Sequence, residues 1–180
     1  MVLKLAYYGN PILRKKTVRI AEITPEIHQL VQEMVDTMHA HNGIGLAAPQ
    51  VKQSISLFIT EVPIKVSEDP EDDRWDPGQL RVFINPKILS HSENAWTYAE
   101  GCLSIPEVRG EVIRPVSVVV RATDLEGKEF EKEFHGLEAR CIMHENDHIN
   151  GVLFIDRMAN KDRKAIEEKL HEVKKQFRDS

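Results

Sequence analysis

His144-Glu145-Asn146-Asp147-His148 puts two imidazoles four residues apart, with a carboxylate beside the first. On a helix, side chains at i and i+4 share a face, so both rings can aim at one point with Glu145 next to it. The chemistry served by that spacing is a divalent ion held by His144 and His148, with Glu145 as general acid and base. A catalytic site of this type takes three protein ligands and keeps a fourth position for water, so one more ligand must come from elsewhere in the chain. Two cysteines are the candidates. Cys141 lies three residues before His144 on the same helix, where a small core residue is the commoner role. Cys102 lies in Glu100-Gly101-Cys102-Leu103-Ser104, where Gly101 allows a tight turn and a close approach of backbone to a bound group. Cys102 is therefore the better third ligand.

Positioning these groups requires a helix, and Leu137, Cys141, His144 and His148 recur at i, i+4, i+7 and i+11, along one helical face. An earlier helix is expected from about 25 to 41, with Thr24 as cap, Pro25 in its first turn, and Ile27, Leu30, Val31, Met34, Val35 and Met38 as its apolar stripe. Gly43 to Gln50 reads as a loop of small residues. Runs at 54–60, 81–85, 95–98, 111–114 and 117–123 are rich in β-branched and aromatic residues and read as strands. Asp124 to Gly127 should close an antiparallel hairpin onto the alternating run 128–134. The acidic stretch between Glu61 and Gln79, with three prolines, reads as an exposed loop. Asn160 is placed to cap a third helix with the stripe Ile166, Leu170, Val173 and Phe177. The expected fold is α+β, a single domain over residues 1–180. Short, mostly antiparallel strands pack around the HExxH helix, flanked by an N-terminal and a C-terminal helix.

Composition limits the alternatives. A chain of 180 residues suits one core. No window approaches the roughly 18 apolar residues of a membrane span, so no membrane partner is expected. With 41 % hydrophobic and 29 % charged residues and a net charge of -5, whole-surface affinity for nucleic acid is disfavoured. The last 21 residues run against that trend, with seven Lys/Arg and five Asp/Glu. Two cysteines are too few for a disulfide scaffold. His39, His41, His91, His135 and His171 have no partner at ligand spacing.

Three segments, GIGLAAPQ at 43–50, EGCLS at 100–104 and HENDH at 144–148, resemble in this order the three motifs of the peptide deformylase family. The likeness extends from Tyr8-Gly9-Asn10-Pro11-Ile12-Leu13-Arg14 to the C-terminal helix. It implies that Cys102, His144 and His148 hold one ion, natively ferrous iron with zinc or nickel as substitutes. It implies Glu145 as proton carrier, and the Gln50 amide and Leu103 N–H as donors to a developing oxyanion. Gly43, Ile44 and Gly45 would hold an extended peptide by strand addition, and Ile44, Arg109, Leu137 and Cys141 would border the methionine side chain. Arg140 stands where some members carry an aliphatic residue. The implied reaction removes the formyl group from N-formylmethionyl nascent peptides in a bacterial cytoplasm, with the basic C-terminal helix as a docking element for the ribosome. The rival readings are an HExxH endopeptidase, disfavoured by the thiolate ligand, and a structural metal site, which has no use for Gln50, Leu103 and Glu145.

Overall fold

A computed structural model describes residues 1–180. The first helix, α1 (Pro25–Ala40), begins where the Thr24 hydroxyl accepts the Ile27 N–H at 3.4 Å. Its apolar stripe is buried at Val31, Met34, Val35 and Met38, which join Leu46, Leu57 and Ile59 in one core cluster. The chain then turns at Gly43, whose N–H caps the Met38 carbonyl at 2.9 Å. The expected loop at 43–50 is in fact ordered as strand β1 (Gly45–Ala47) followed by a 3-10 turn at Ala48–Val51. Short residues hid this strand from propensity. All of Gly45 to Val51 except Gly45 itself have side chains or rings packed inside, and backbone pairing to β2 (Leu57–Glu61) supplies the rest.

The acidic stretch also departs from expectation, because Ile64–Lys65 (β3) and Trp75–Asp76 (β4) pair as a small, exposed hairpin within it. Strand β5 (Leu80–His91) runs well past the sequence-predicted 81–85, bending at two irregularities in its ladder with β8 (Ser117–Thr123). Asn85 sits at the first bend with φ 51°, and its side-chain amide exchanges two 2.8 Å hydrogen bonds with the Ile20 backbone. Strands β6 (Ala95–Cys102) and β7 (Ile105–Pro115) form a separate hairpin. Strands β8 (Ser117–Thr123) and β9 (Glu129–His135) close the hairpin across Asp124–Gly127 as expected, with Asp124 Oδ1 accepting the N–H groups of Glu126 and Lys128. The main sheet is antiparallel in the order β1-β2-β5-β8-β9.

Helix α2 (Gly136–Ile149) carries the HENDH segment. Ala139, Ile142 and Met143 lie in one cluster with Phe58, Phe83, Val118, Val120 and Phe134 of the sheet. Burying each such phenylalanine contributes about 1.5–3 kcal/mol, so the helix is fixed on the sheet before its polar positions are considered. The C-terminal helix differs from expectation by splitting at Ile166 into α3 (Asn160–Ala165) and α4 (Glu167–Gln176). Asn160 is the first helical residue rather than the cap, and no side chain caps either piece. Leu170 and Val173 are the buried positions, joining Ile105, Val108 and Val112 of β7. The architecture is thus α+β, one domain, with mostly antiparallel strands and four helices. No helix is long and apolar enough to cross a membrane.

Candidate metal centre and active site

The β6–β7 hairpin delivers Cys102. Its ladder shifts between Gly101 and Cys102, leaving Cys102 opposite Ile105, and such a bulge re-aims a side chain out of the ladder. The tip is tied down where the Tyr8 N–H donates to the Ser104 carbonyl at 2.8 Å. Cys102 Sγ then lies 3.4 Å from His148 Nε2. One ligand atom from each of Cys102, His144 and His148 lies within 4.8 Å of the others. Cys141 is outside this group, with its thiol 3.6 Å from the Ile44 carbonyl.

Glu100, two residues before Cys102, carries the electrostatics. Its Oε1 lies 2.9 Å from His144 Nδ1, which assigns the Nδ1 proton to that bond and leaves Nε2 facing the sulfur. The same carboxylate accepts from Arg114 at 2.6 and 2.9 Å and from Arg140 at 2.6 Å. Arg114 reaches on to Asp147 at 3.0 Å, and Arg157 grips Asp147 at 2.6 and 2.8 Å. Burial by itself would raise the Glu100 pKa, but His144 and Arg114 outweigh it and hold the carboxyl well below the usual range. Burial would likewise lower His144, yet the Cys102 sulfur and Glu100 raise it well above an ordinary imidazole. Burial and the neighbouring His144 push His148 well below, into the neutral form that ligates metals.

The donor set fits a divalent transition ion. One thiolate and two imidazoles suit zinc, iron and nickel, and a three-residue donor set that reaches a cleft through Cys102 and His144 matches a catalytic site with an open position. Two buried polar atoms here have no partner in the chain, His148 Nδ1 and Glu145 Oε2. Burial pushes the Glu145 carboxyl up to about 7, and a cation beside it would draw it back towards the carboxylate.

Gln50 is oriented by its neighbours. The Ala47 N–H needs an acceptor and finds Gln50 Oε1 at 2.9 Å, so Nε2 faces Cys102 Sγ at 3.4 Å and Ser104 Oγ at 3.2 Å. Gly45 passes so close to the helix that an added Cβ would lie 2.8 Å from Cys141 Sγ and 2.9 Å from Glu145 Oε1. A cleft of about 710 Å³ opens over this region, lined by Gly43, Ile44, Gly45, Gln50, Cys102, Leu103, Arg109, Leu137, Cys141, His144 and Glu145. Every sequence-nominated site residue therefore lines one cleft except His148, which approaches from beneath and is 1 % exposed.

Sequence reasoning passed over Glu100, Arg114 and Arg157. Glu100 stood inside the quoted EGCLS segment and had no assigned task, while nothing local marked the two arginines. Asp147, between the two histidines in sequence, contacts Arg114 and Arg157 and reaches His144 only through Arg114 and Glu100. Arg140 is 2 % exposed and stacks at 4.6 Å on Trp96, its charge matched by Glu100 and by the Val112 and Trp96 carbonyls.

A Cys/His cluster with the donor set for a metal ion, open to a cleft beside a buried carboxyl, fits the site of a metal-dependent hydrolase. Comparison with known proteins makes this specific. The polypeptide deformylase family model matches residues 2–164. The peptide deformylase of Christiangramia forsetii is 37 % identical over 97 % of this chain and 91 % of its own, and that of Salinibacter ruber 40 % identical over 96 % and 89 %. Among solved structures, Arabidopsis thaliana peptide deformylase 1B in complex with an inhibitor matches with a TM-score of 0.85, at 37 % identity over 97 % of this chain and 92 % of that one. A Legionella pneumophila peptide deformylase matches with a TM-score of 0.82, at 33 % identity over 100 % and 99 %. The chain belongs to the polypeptide deformylase family.

Proposed function

We infer that this protein removes the N-formyl group from the N-terminal formylmethionine of newly made polypeptides and releases formate. The observation that carries the reading is the convergence of Cys102, His144 and His148 beside buried Glu145, in a chain that matches the family over nearly its whole length. We propose that residues 1–180 act as one catalytic domain in a bacterial cytoplasm, and that the three ligands hold a single divalent ion, ferrous iron natively with zinc or nickel able to replace it. When bound, such an ion supplies Lewis-acid polarisation and brings the pKa of water towards neutrality.

The chain's own groups supply the rest. Glu145 accepts the proton of the attacking water as its oxygen adds to the formyl carbon, then delivers a proton to the departing amine nitrogen when the C–N bond breaks. Negative charge developing on the formyl oxygen is met by Gln50 Nε2 and the Leu103 N–H. Gly43 to Gly45 hold the peptide backbone, with Ile44, Arg109, Leu137 and Cys141 bordering the methionine side chain. Arg140, bonded to Glu100 and to the Val112 and Trp96 carbonyls, closes that wall with its charge turned inward.

Iron-loaded protein should release formate from formyl-Met-Ala and leave acetyl-Met-Ala and internal peptide bonds intact. Inactivity on the formyl peptide would contradict the reading, and internal cleavage would favour the endopeptidase alternative. Gly45→Ala should lower kcat/KM on the order of a hundredfold, because a methyl forced against Glu145 displaces it by a sizeable part of an ångström. Near wild-type rates in that variant would place Glu145 elsewhere during turnover.

Ribosome docking through the C-terminal helix is a further part of this proposal. Its basic residues are not equivalent, since Lys174 packs its stem against Gly9 and lies 5.4 Å from the Tyr8 ring. The informative variant is Lys169→Glu with Lys175→Glu, both at exposed positions. It should lose most co-sedimentation with ribosomes at low salt, and unchanged pelleting would remove the helix from that role.

A further inference from the structure

The methionine pocket uses one side of the cleft, where Leu137, Arg140 and Cys141 of α2 form the wall. The same lining includes Leu103, Tyr7 of the N-terminal segment and Phe177, just beyond α4. Leu103 lies at the Gly43 end, where an added Cβ would meet it at 3.0 Å, whereas Gly45 faces Cys141. The Tyr7 and Phe177 rings stack with centroids 3.7 Å apart and planes 13° apart. Both are partly exposed, so the pair presents apolar surface to the cleft. It is also held firmly. Ala6 donates to the Gln50 carbonyl at 2.7 Å and Tyr8 to the Ser104 carbonyl at 2.8 Å, which fixes Tyr7 between the two segments that carry Gln50 and Cys102. Phe177 is carried by a helix whose Leu170 and Val173 are buried against β7.

We propose that the Tyr7–Phe177 pair is the subsite for the residue that follows formylmethionine, and that it favours a large apolar or aromatic side chain there. The inference rests on the deformylase reading and adds a selectivity to it. A peptide held in extended form along Gly43 to Gly45 places successive side chains on opposite faces. If the first enters the α2 side, the second faces the wall built by Leu103, Tyr7 and Phe177. Aromatic contacts of this kind give roughly a three- to tenfold preference over a small side chain. The C-terminal helix is then part of the substrate cleft as well as an outer surface.

The test compares formate release from formyl-Met-Phe-Ser and formyl-Met-Ala-Ser by the full, iron-loaded chain. Wild type should favour the phenylalanine peptide by about three- to tenfold in kcat/KM, mostly through a lower KM. Phe177→Ala should bring the ratio of the two peptides close to unity, and Phe177→Tyr should restore it. A wild type without the preference, a Phe177→Ala protein that keeps it, or an equal loss on both peptides would overturn the subsite while formate release leaves the deformylase reading standing. No formate from either peptide would take both down.

Discussion

Glu145→Gln is expected to lower kcat for formate release by roughly two to four orders of magnitude, the usual worth of a positioned general acid and base, with bound metal and peptide affinity near wild type. Glu145 is 4 % exposed and the substitution is nearly isosteric, so the loss reports proton transfer rather than collapse of the cleft. Formate release at more than a tenth of the wild-type rate would assign the proton to another group. The same variant has a second, opposite consequence in metal-free protein. Burial raises the Glu145 pKa from 4.5 to about 7. Between those values the folded state keeps a proton that the unfolded chain has lost, so stability from this group is complete below pH 4.5 and is lost as pH rises through 7. Glutamine does not titrate, and metal-free Glu145→Gln should therefore be the more stable protein above pH 7, on the order of 3 kcal/mol. Urea unfolding of the two metal-free proteins at pH 4.5 and 8 checks this, and a gap that fails to widen with pH would contradict it.

Glu100→Ala should be the most damaging change away from the ligands. The carboxylate is shared by Arg114, Arg140 and His144, and both arginine side chains are at most 4 % exposed. Removing it leaves two buried guanidinium groups with only Asp147 between them, and breaking such a pair costs about 3–5 kcal/mol. It also frees His144 Nδ1, whose bond to Glu100 fixes the tautomer and ring orientation. Loss of a partner in that position typically weakens metal binding by about 10- to 100-fold. Denaturant titration and chelator competition measure the two effects separately. An unchanged midpoint with unchanged metal affinity would show that Arg114 and His144 are held by other means.

Much of this arrangement was legible in the sequence, and the reasons differ by residue. The strands at 117–123 and 128–134 announced themselves by alternation and by an Asp-to-Gly turn, and α1 by its capped start and apolar stripe. The convergence of Cys102, His144 and His148 was legible because metal chemistry restricts both residue type and spacing. Strand β1 was hidden because Gly45-Leu46-Ala47 has no strand propensity of its own and is made a strand by pairing with β2. The split at Ile166 was hidden because the apolar stripe Ile166, Leu170, Val173 and Phe177 continues across it. Glu100, Arg114, Arg140 and Asp147 come from three separate elements and meet only after the hairpin folds onto α2. A buried ionic network built from distant positions leaves no local spacing to read, and the Tyr7–Phe177 stack spans nearly the whole chain for the same reason.

The most direct test of the central claim is to measure bound iron and formate release together, in wild type and in Cys102→Ala purified without oxygen. The account predicts that wild type holds a single ion per chain and releases formate from formyl-Met-Ala, while Cys102→Ala loses both. Full occupancy and turnover in Cys102→Ala, or a fully loaded wild type that releases no formate, would contradict it.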